Sequence, residues 1–153
     1  MSSRTSGLLP LRSKDGVSTF ISPEAARFSG YLRGAMVNLA PRQMVVIDTI
    51  EGTTLDKVVQ WLEDYAYSTE LNPHILDAPP HAWVDQPEMA LMFLWLWGND
   101  EELFDAFRAA LLLEIQPLVD MAYFTIEKNA EKMSDSKKQE YQGRLQSFLK
   151  GNS

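Results

Sequence analysis

Two histidines and two aspartates are the side chains of this sequence best suited to metal binding or acid–base chemistry. His74, Asp77, His81 and Asp85 follow one another along one segment, and imidazole and carboxylate groups can ligate zinc or transfer protons. That segment carries four prolines and no helical period, so no regular spacing places the four side chains on one face. We therefore interpret them as solvated loop residues rather than as a metal or catalytic site.

A second group of acidic residues, Asp100, Glu101 and Glu102, has a structural explanation at the start of a helix. Negative side chains are favourable near the positive end of the helix dipole. The sequence contains no cysteine, and hence no thiol nucleophile or cysteine-based zinc site. It also lacks a glycine-rich phosphate loop, G-x-S-x-G and H-E-x-x-H. We predict a protein that is not an enzyme and that uses no cofactor or metal.

The overall composition limits the classes of partner. A chain of 153 residues is one domain's worth, and its net charge of -7 disfavours nucleic acid and anionic membrane surfaces. The first residues lack the apolar core of a secretory signal, and the longest apolar run, 89–97, is about half the roughly 20 residues that a membrane helix needs. We expect a soluble protein of the cytoplasm, the nucleus or both.

Residues 99–130 form the stretch around which the chain is organised, and they predict two helices in tandem. Asn99 is a predicted N-cap, and Glu102 three residues later completes a capping box. Pro117 suits the first turn of a second helix. Each helix has an apolar stripe at three-and-four spacing; the first contains Leu103, Phe104, Phe107, Ala110 and Leu111, and the second Leu118, Met121, Ala122, Thr125 and Ile126.

The residues before this stretch predict a mixed α+β domain. After a disordered lead at 1–7, a hairpin turns at Asp15-Gly16. Ser22-Pro23 begins a helix that runs to Met36, 44–47 is a third strand, and a further helix extends from about 55 to 66. The predicted fold class is a small three-stranded sheet packed on a helical cluster, with C-terminal helices.

Two segments are less regular. We predict a variable loop from residue 67 to 87, followed by an apolar helix at 88–98, whose Trp95 and Trp97 either pack in the core or contribute to a partner site. Residues 131–150 form a predicted C-terminal helical extension. It is capped at Ser134 and anchored by Tyr141, Leu145 and Phe148.

Several strings in this order resemble the S-phase-kinase-associated (Skp) adaptors and elongin C, which share the BTB/POZ fold. LFDAFRAALLLEIQPLVDMAYFTI is similar to the signature of that family in its tandem helices. SKDGVSTFIS, EAARFSGYLRGAM and LDKVVQWLEDYA resemble its opening hairpin, first helix and next helix. The resemblance covers roughly 8–66 and 99–130, and it implies a BTB/POZ domain over 8–130.

The resemblance also implies a function and a site. Skp adaptors and elongin C are non-catalytic adaptors that join a cullin to the F-box or BC-box helix of a substrate receptor within a ubiquitin ligase, so a hetero-oligomer is expected. Phe104, Phe107, Tyr123 and Ile126 match family positions that face the receptor helix, and we place Trp97 with them. Leu111 and Leu112 match positions that face the cullin.

The sequence departs from the family at those last two positions. Where the family has Asn followed by an aromatic residue, this chain has Leu111-Leu112, which removes an amide's hydrogen bonds and aromatic packing. Three hypotheses follow: an adaptor in a cullin ligase, a subunit that binds an F-box-type helix in a complex without a cullin, and a homodimerising BTB domain.

Overall fold

The structure is a computed structural model that describes residues 8–37, 44–71 and 99–150. Within these ranges it is mixed α+β and mostly helical, with one three-stranded sheet and six helices. The strands are β1 (Leu9–Ser13), β2 (Ser18–Ile21) and β3 (Val45–Ile47). The helices are α1 (Pro23–Ala26), α2 (Gly30–Val37), α3 (Gly52–Leu71), α4 (Asp100–Leu113), α5 (Gln116–Glu131) and α6 (Asp135–Leu149). The predicted class is therefore confirmed at this level.

The sheet has the order β2-β1-β3, with β1 antiparallel to β2 and parallel to β3. Gly16 supplies the positive φ, 82°, that the hairpin turn requires. In this register one face of the sheet presents Leu9, Leu11 and Ile21 to the core, while Phe20 on the opposite face is exposed. The hairpin and the third strand agree with the sequence prediction.

The segment from Ser22 to Met36, predicted as one helix, forms two helices with a break at residues 27–29. Ser22 caps α1 as expected, since its side chain accepts a hydrogen bond from the amide of Ala25. A new cap, Ser29, accepts a hydrogen bond of 3.1 Å from the amide of Leu32 and starts α2. The single-helix prediction was wrong because the hydroxyl of Ser29 caps α2 and also donates a hydrogen bond to the carbonyl of the distant Leu113.

Helix α3 continues to Leu71, so the loop predicted to begin at residue 67 was wrong over its first five residues. Ser68 and Thr69 are buried, and the hydroxyl of Thr69 donates a 2.9 Å hydrogen bond to the carbonyl of Ala66 within the same helix. A polar side chain can be buried in this way when the helix backbone supplies its partner. The rest of that loop and the apolar helix predicted at 88–98 lie outside the described residues.

The core joins the inner face of the sheet to α3, α4 and α5. Its largest fully buried side chains include Trp61, Phe104 and Phe107. The ring of Trp61 stacks on Tyr65 at 4.9 Å between centroids, and burial raises the pKa of Tyr65 to about 12, with a further contribution from the charge of Asp120. Among the described residues, no helix has the length and apolar content needed to cross a membrane.

Candidate functional site: the tandem helices and their cover

The two tandem helices begin where the sequence predicts. Asn99 caps α4 by accepting a 2.9 Å hydrogen bond from the amide of Glu102. The Glu102 carboxylate accepts in turn from the side-chain amide of Asn99, where the capping-box prediction had used the main-chain amide. Pro117 lies in the first turn of α5. The pair of helices that carries the predicted site is thus set by local signals.

The junction between α4 and α5 is a tight reversal at Glu114. This residue adopts a left-handed conformation with φ 55°, as helix C-caps often do. The amide of Ile115 then donates a 2.9 Å hydrogen bond to the carbonyl of Ala110. Because the reversal leaves so little connecting chain, α5 packs directly on α4, and their aromatic residues meet.

Three of the predicted receptor-facing residues are buried in this structure. Phe104 and Phe107 are 0% exposed and Ile126 is 1% exposed. These residues are therefore not on the surface in this state, contrary to the expected position of a receptor site. The physical reason is that the stripes of α4 and α5 pack on each other and on neighbouring helices.

Among the described residues, Tyr123 is the one predicted receptor-facing residue that is not fully buried. Its side chain is half-buried, and its ring centroid is 6.2 Å from that of Phe107. The next residue, Phe124, is also half-buried, with the ammonium of Lys128 5.6 Å from its ring centroid. Both adjacent aromatics thus have accessible surface. Trp97, the fifth predicted residue, lies outside the described residues.

Helix α6 covers the aromatic side chains of α4. The ring of Phe104 lies 5.1 Å from that of Tyr141 in an edge-to-face arrangement and 5.8 Å from that of Phe148. The Phe148 ring is also 6.3 Å from Phe107. The sequence had named Tyr141 and Phe148 as anchors of an extension, but not the residues of α4 that they contact.

A charged contact reinforces the cover and was missed in the sequence. Arg144 donates to the carboxylate of Glu101 at 2.9 and 3.3 Å, and its guanidinium lies 4.1 Å from the centroid of the Phe104 ring. The spacing of Arg144 between Tyr141 and Phe148 places it on the same side of α6, which is the signal that could have found it.

Two acidic residues at the start of α4, Glu101 and Glu102, have partners on other helices. Glu102 forms an ion pair with Lys57 of α3, and Glu101 pairs with Arg144 of α6. Nearby, burial raises the pKa of Asp105, with added repulsion from Glu101 and Glu51. These contacts give two of the three carboxylates a role in joining helices.

Leu111 and Leu112, the predicted cullin-facing pair, are half-buried and pack against the core. Close to them along α4, Arg108 donates a 3.2 Å hydrogen bond to the carbonyl of Thr49 after β3. Because they are half-buried, the two leucines expose part of their apolar surface. At the position of Leu111 there is no side-chain amide, which the Skp and elongin C sequences have there.

The candidate metal cluster of His74, Asp77, His81 and Asp85 lies outside the described residues. Within the described parts of the chain, no group of three or more histidine, aspartate or glutamate side chains could hold a metal ion. Comparison of the sequence with protein-family models and with curated proteins finds no match.

Proposed function

We propose that this protein is a non-catalytic adaptor with a BTB/POZ fold, of the Skp or elongin C type, that binds a short helix of a substrate receptor. The observation that carries the proposal is the tandem pair α4–α5, in which the family-like string forms two helices joined by a two-residue reversal at Glu114 and Ile115. The described order of strands and helices is also the order expected of that fold.

The chemistry of the tandem helices supports recognition of an apolar helix. The ring of Phe148 links those of Phe104 and Phe107, and the ring of Phe107 lies 6.2 Å from that of the half-buried Tyr123. Aromatic side chains are enriched at interface hot spots because they bury a large area at low entropic cost. Such a surface suits the apolar face of an amphipathic partner helix.

Substitution of Tyr123, the receptor-facing residue with accessible surface, tests the proposed site. The full chain, tagged, is captured from its own cells under native conditions beside Tyr123→Ala, and a fluorescent synthetic peptide of an F-box helix is titrated into both proteins. We expect about tenfold weaker peptide binding by the variant, since truncating a hot-spot aromatic residue costs about 1–2 kcal/mol. Tyr67→Ala, at an exposed tyrosine of α3, is the matched control and should bind as the unaltered chain does.

Leu111 and Leu112 favour a second candidate, a subunit that binds a receptor helix in a complex without a cullin. Their side chains offer no hydrogen-bonding group where the family has Asn. The double variant Leu111→Asn, Leu112→Tyr separates the two candidates in the same capture experiment. Recovery of a cullin, increased by the double change, supports the ligase adaptor; helical partners without a cullin in either sample support the second candidate. A homodimer that binds no peptide would contradict both and leave the homodimerising domain.

A further inference from the structure

Asp15 and Gly16, at the tip of the hairpin between β1 and β2, are the one Asp-Gly pair of the sequence. In such a pair the glycine nitrogen can attack the preceding side-chain carboxyl group, because glycine has no side chain to obstruct the approach. Both residues are exposed, and a Cβ at Gly16 would meet no neighbour within 4 Å. The tip therefore has the residue types, the space and the access to water that formation of isoaspartate requires.

The carboxylate of Asp15 is held by two hydrogen-bond donors. The hydroxyl of Ser13 donates to its Oδ1, and the main-chain amide of Gly52 donates a 2.8 Å hydrogen bond to the same oxygen. Ser13 is buried, and its hydroxyl also accepts a 3.0 Å hydrogen bond from the amide of Val17. Because Gly52 is the first residue of α3, Asp15 provides the start of that helix with a capping carboxylate from the hairpin.

The attacking nitrogen is engaged as well. The amide of Gly16 donates a 3.0 Å hydrogen bond to the carbonyl of Ser13, so the turn has to open before that nitrogen can form a new bond. The hydrogen bonds from Ser13 and then Gly52 lower the pKa of Asp15, which reduces the fraction of the protonated carboxyl group, the form from which water can leave. In the folded hairpin both reacting groups are therefore kept in an unreactive arrangement.

We infer that Asp15 is a site of spontaneous isoaspartate formation that the folded hairpin protects, and that the modification removes the cap of α3. A bond forms between the Gly16 nitrogen and Cγ of the protonated Asp15 side chain, and the hydroxyl group leaves as water with the amide proton. Water then adds to the main-chain carbonyl carbon of the cyclic imide and breaks its bond to that nitrogen, which takes up a proton. The main chain now passes through Cγ, and the former carbonyl group is a free carboxylic acid; no other reactant is consumed.

The product changes the turn in two ways. Its main chain is longer by one carbon atom, and its carboxylate is attached directly to Cα instead of to Cβ. The turn cannot then keep the hydrogen bond between Gly16 and Ser13 and also present a carboxylate oxygen to Gly52 at the present positions. The first amide of α3 therefore loses its partner. These steps involve only the hairpin and α3, and none of them depends on a receptor helix.

Ageing of the full chain beside a synthetic peptide of residues 10–21 tests the protection. Both are incubated at pH 7 and physiological temperature, then digested with an endoprotease that cleaves before aspartate but not before isoaspartate, and analysed by mass spectrometry. We expect isoaspartate at residue 15 to accumulate about tenfold more slowly in the full chain, because the hydrogen bonds of the turn have to open before the ring can close. Equal rates in the chain and the peptide would overturn the inference.

Ser13→Ala removes one of the two donors to the Asp15 carboxylate. The rate in the full chain should rise about threefold, since opening becomes more frequent, whereas the same change in the peptide should leave its rate unaltered. Ser18→Ala, at an exposed position of β2, is the control and should keep the rate of the unaltered chain. An unchanged rate in Ser13→Ala, with circular dichroism showing a folded chain, would contradict the protective role of these bonds.

Hydrogen–deuterium exchange tests the loss of the cap. The isomerised chain is separated from the unmodified chain by ion-exchange chromatography, and both are compared at the first amides of α3. These amides should exchange about fivefold faster in the isomerised chain, because the start of the helix opens locally. The amides of α5 are the internal reference and should not change. Identical exchange at the start of α3 in the two forms would refute the predicted consequence.

Discussion

The main-chain amide of Gly30 donates a 2.9 Å hydrogen bond to the carbonyl oxygen of Glu114. This bond joins the first residue of α2 to the reversal between α4 and α5, which carry the candidate site. A Cβ at Gly30 would lie 3.0 Å from the Glu114 carboxylate and 3.1 Å from its Cβ. The close approach of the two residues therefore uses the absence of a side chain at Gly30.

Glu114→Gly is expected to stabilise the fold by about 1 kcal/mol. The left-handed conformation costs a non-glycine residue roughly 1–2 kcal/mol, whereas the exposed carboxylate beside the start of α2 contributes about 0.3–1 kcal/mol through the helix dipole. Relief of the backbone cost should therefore exceed the lost charge interaction. Urea denaturation measures the difference.

Glu127→Gly provides the matched control for that change. Glu127 is also exposed but lies within α5, and its substitution should destabilise the protein by about 0.5–1 kcal/mol. Destabilisation of similar size at both positions would contradict the account of Glu114.

Ser29→Ala should destabilise the protein by about 1–3 kcal/mol. The buried hydroxyl donates a 2.6 Å hydrogen bond to the carbonyl of Leu113 and also caps α2 through the amide of Leu32, so its removal leaves both groups short of a partner. Thermal and urea unfolding would reveal the loss. Ser18→Ala, at an exposed position of β2, should keep the free energy of unfolding within about 0.5 kcal/mol of that of the unaltered chain. Equal effects of the two changes would refute the role given to Ser29.

Gly52→Ala should destabilise the protein by about 1–3 kcal/mol through overpacking. The added methyl group would lie 2.6 Å from Cβ of Val17 and 2.7 Å from its Cγ2, which is too close for the hairpin and α3 to keep their present separation. The same change at Gly34 meets no atom within 4 Å and should raise stability by about 0.5–1 kcal/mol. Chemical denaturation of the pair would distinguish a steric effect from a general effect of alanine.

Asp15 should make stability depend on pH below about 4. The hydrogen bond from the Ser13 side chain, followed by that from the amide of Gly52, lowers the pKa of Asp15 below its ordinary 3.8. A lowered pKa favours the folded state when the carboxylate is charged, so the stabilisation is present above 3.8 and lost as pH falls through the lowered value.

Asp15→Asn should therefore be less stable than the unaltered chain at pH 7, and the gap should narrow as the solution is acidified below 3.8. Melting curves recorded from pH 7 to pH 2 measure this gap. Asp48→Asn, at an exposed position after β3, controls for the removal of one negative charge; a gap for Asp15→Asn that stayed constant with pH would argue against the assignment.

Local sequence determined the elements whose signals lie within a few residues. Gly16 supplied the turn of the hairpin, Asn99 the start of α4 and Pro117 the start of α5, because backbone sterics and capping bonds act between neighbours along the chain. The pairing of helices in tandem followed from the same signals. The class of fold could therefore be predicted from the order of these elements.

Tertiary structure alone decided what the site residues face. The break before α2 depends on Ser29 meeting Leu113, 84 positions away, and the burial of Phe104 depends partly on Tyr141, which lies beyond α5 and the two turns that flank it. An apolar stripe specifies that a helix face will be covered, but not whether a neighbouring helix or a partner covers it, because hydrophobic burial is non-directional. In this chain the choice for Phe104 was made by α6.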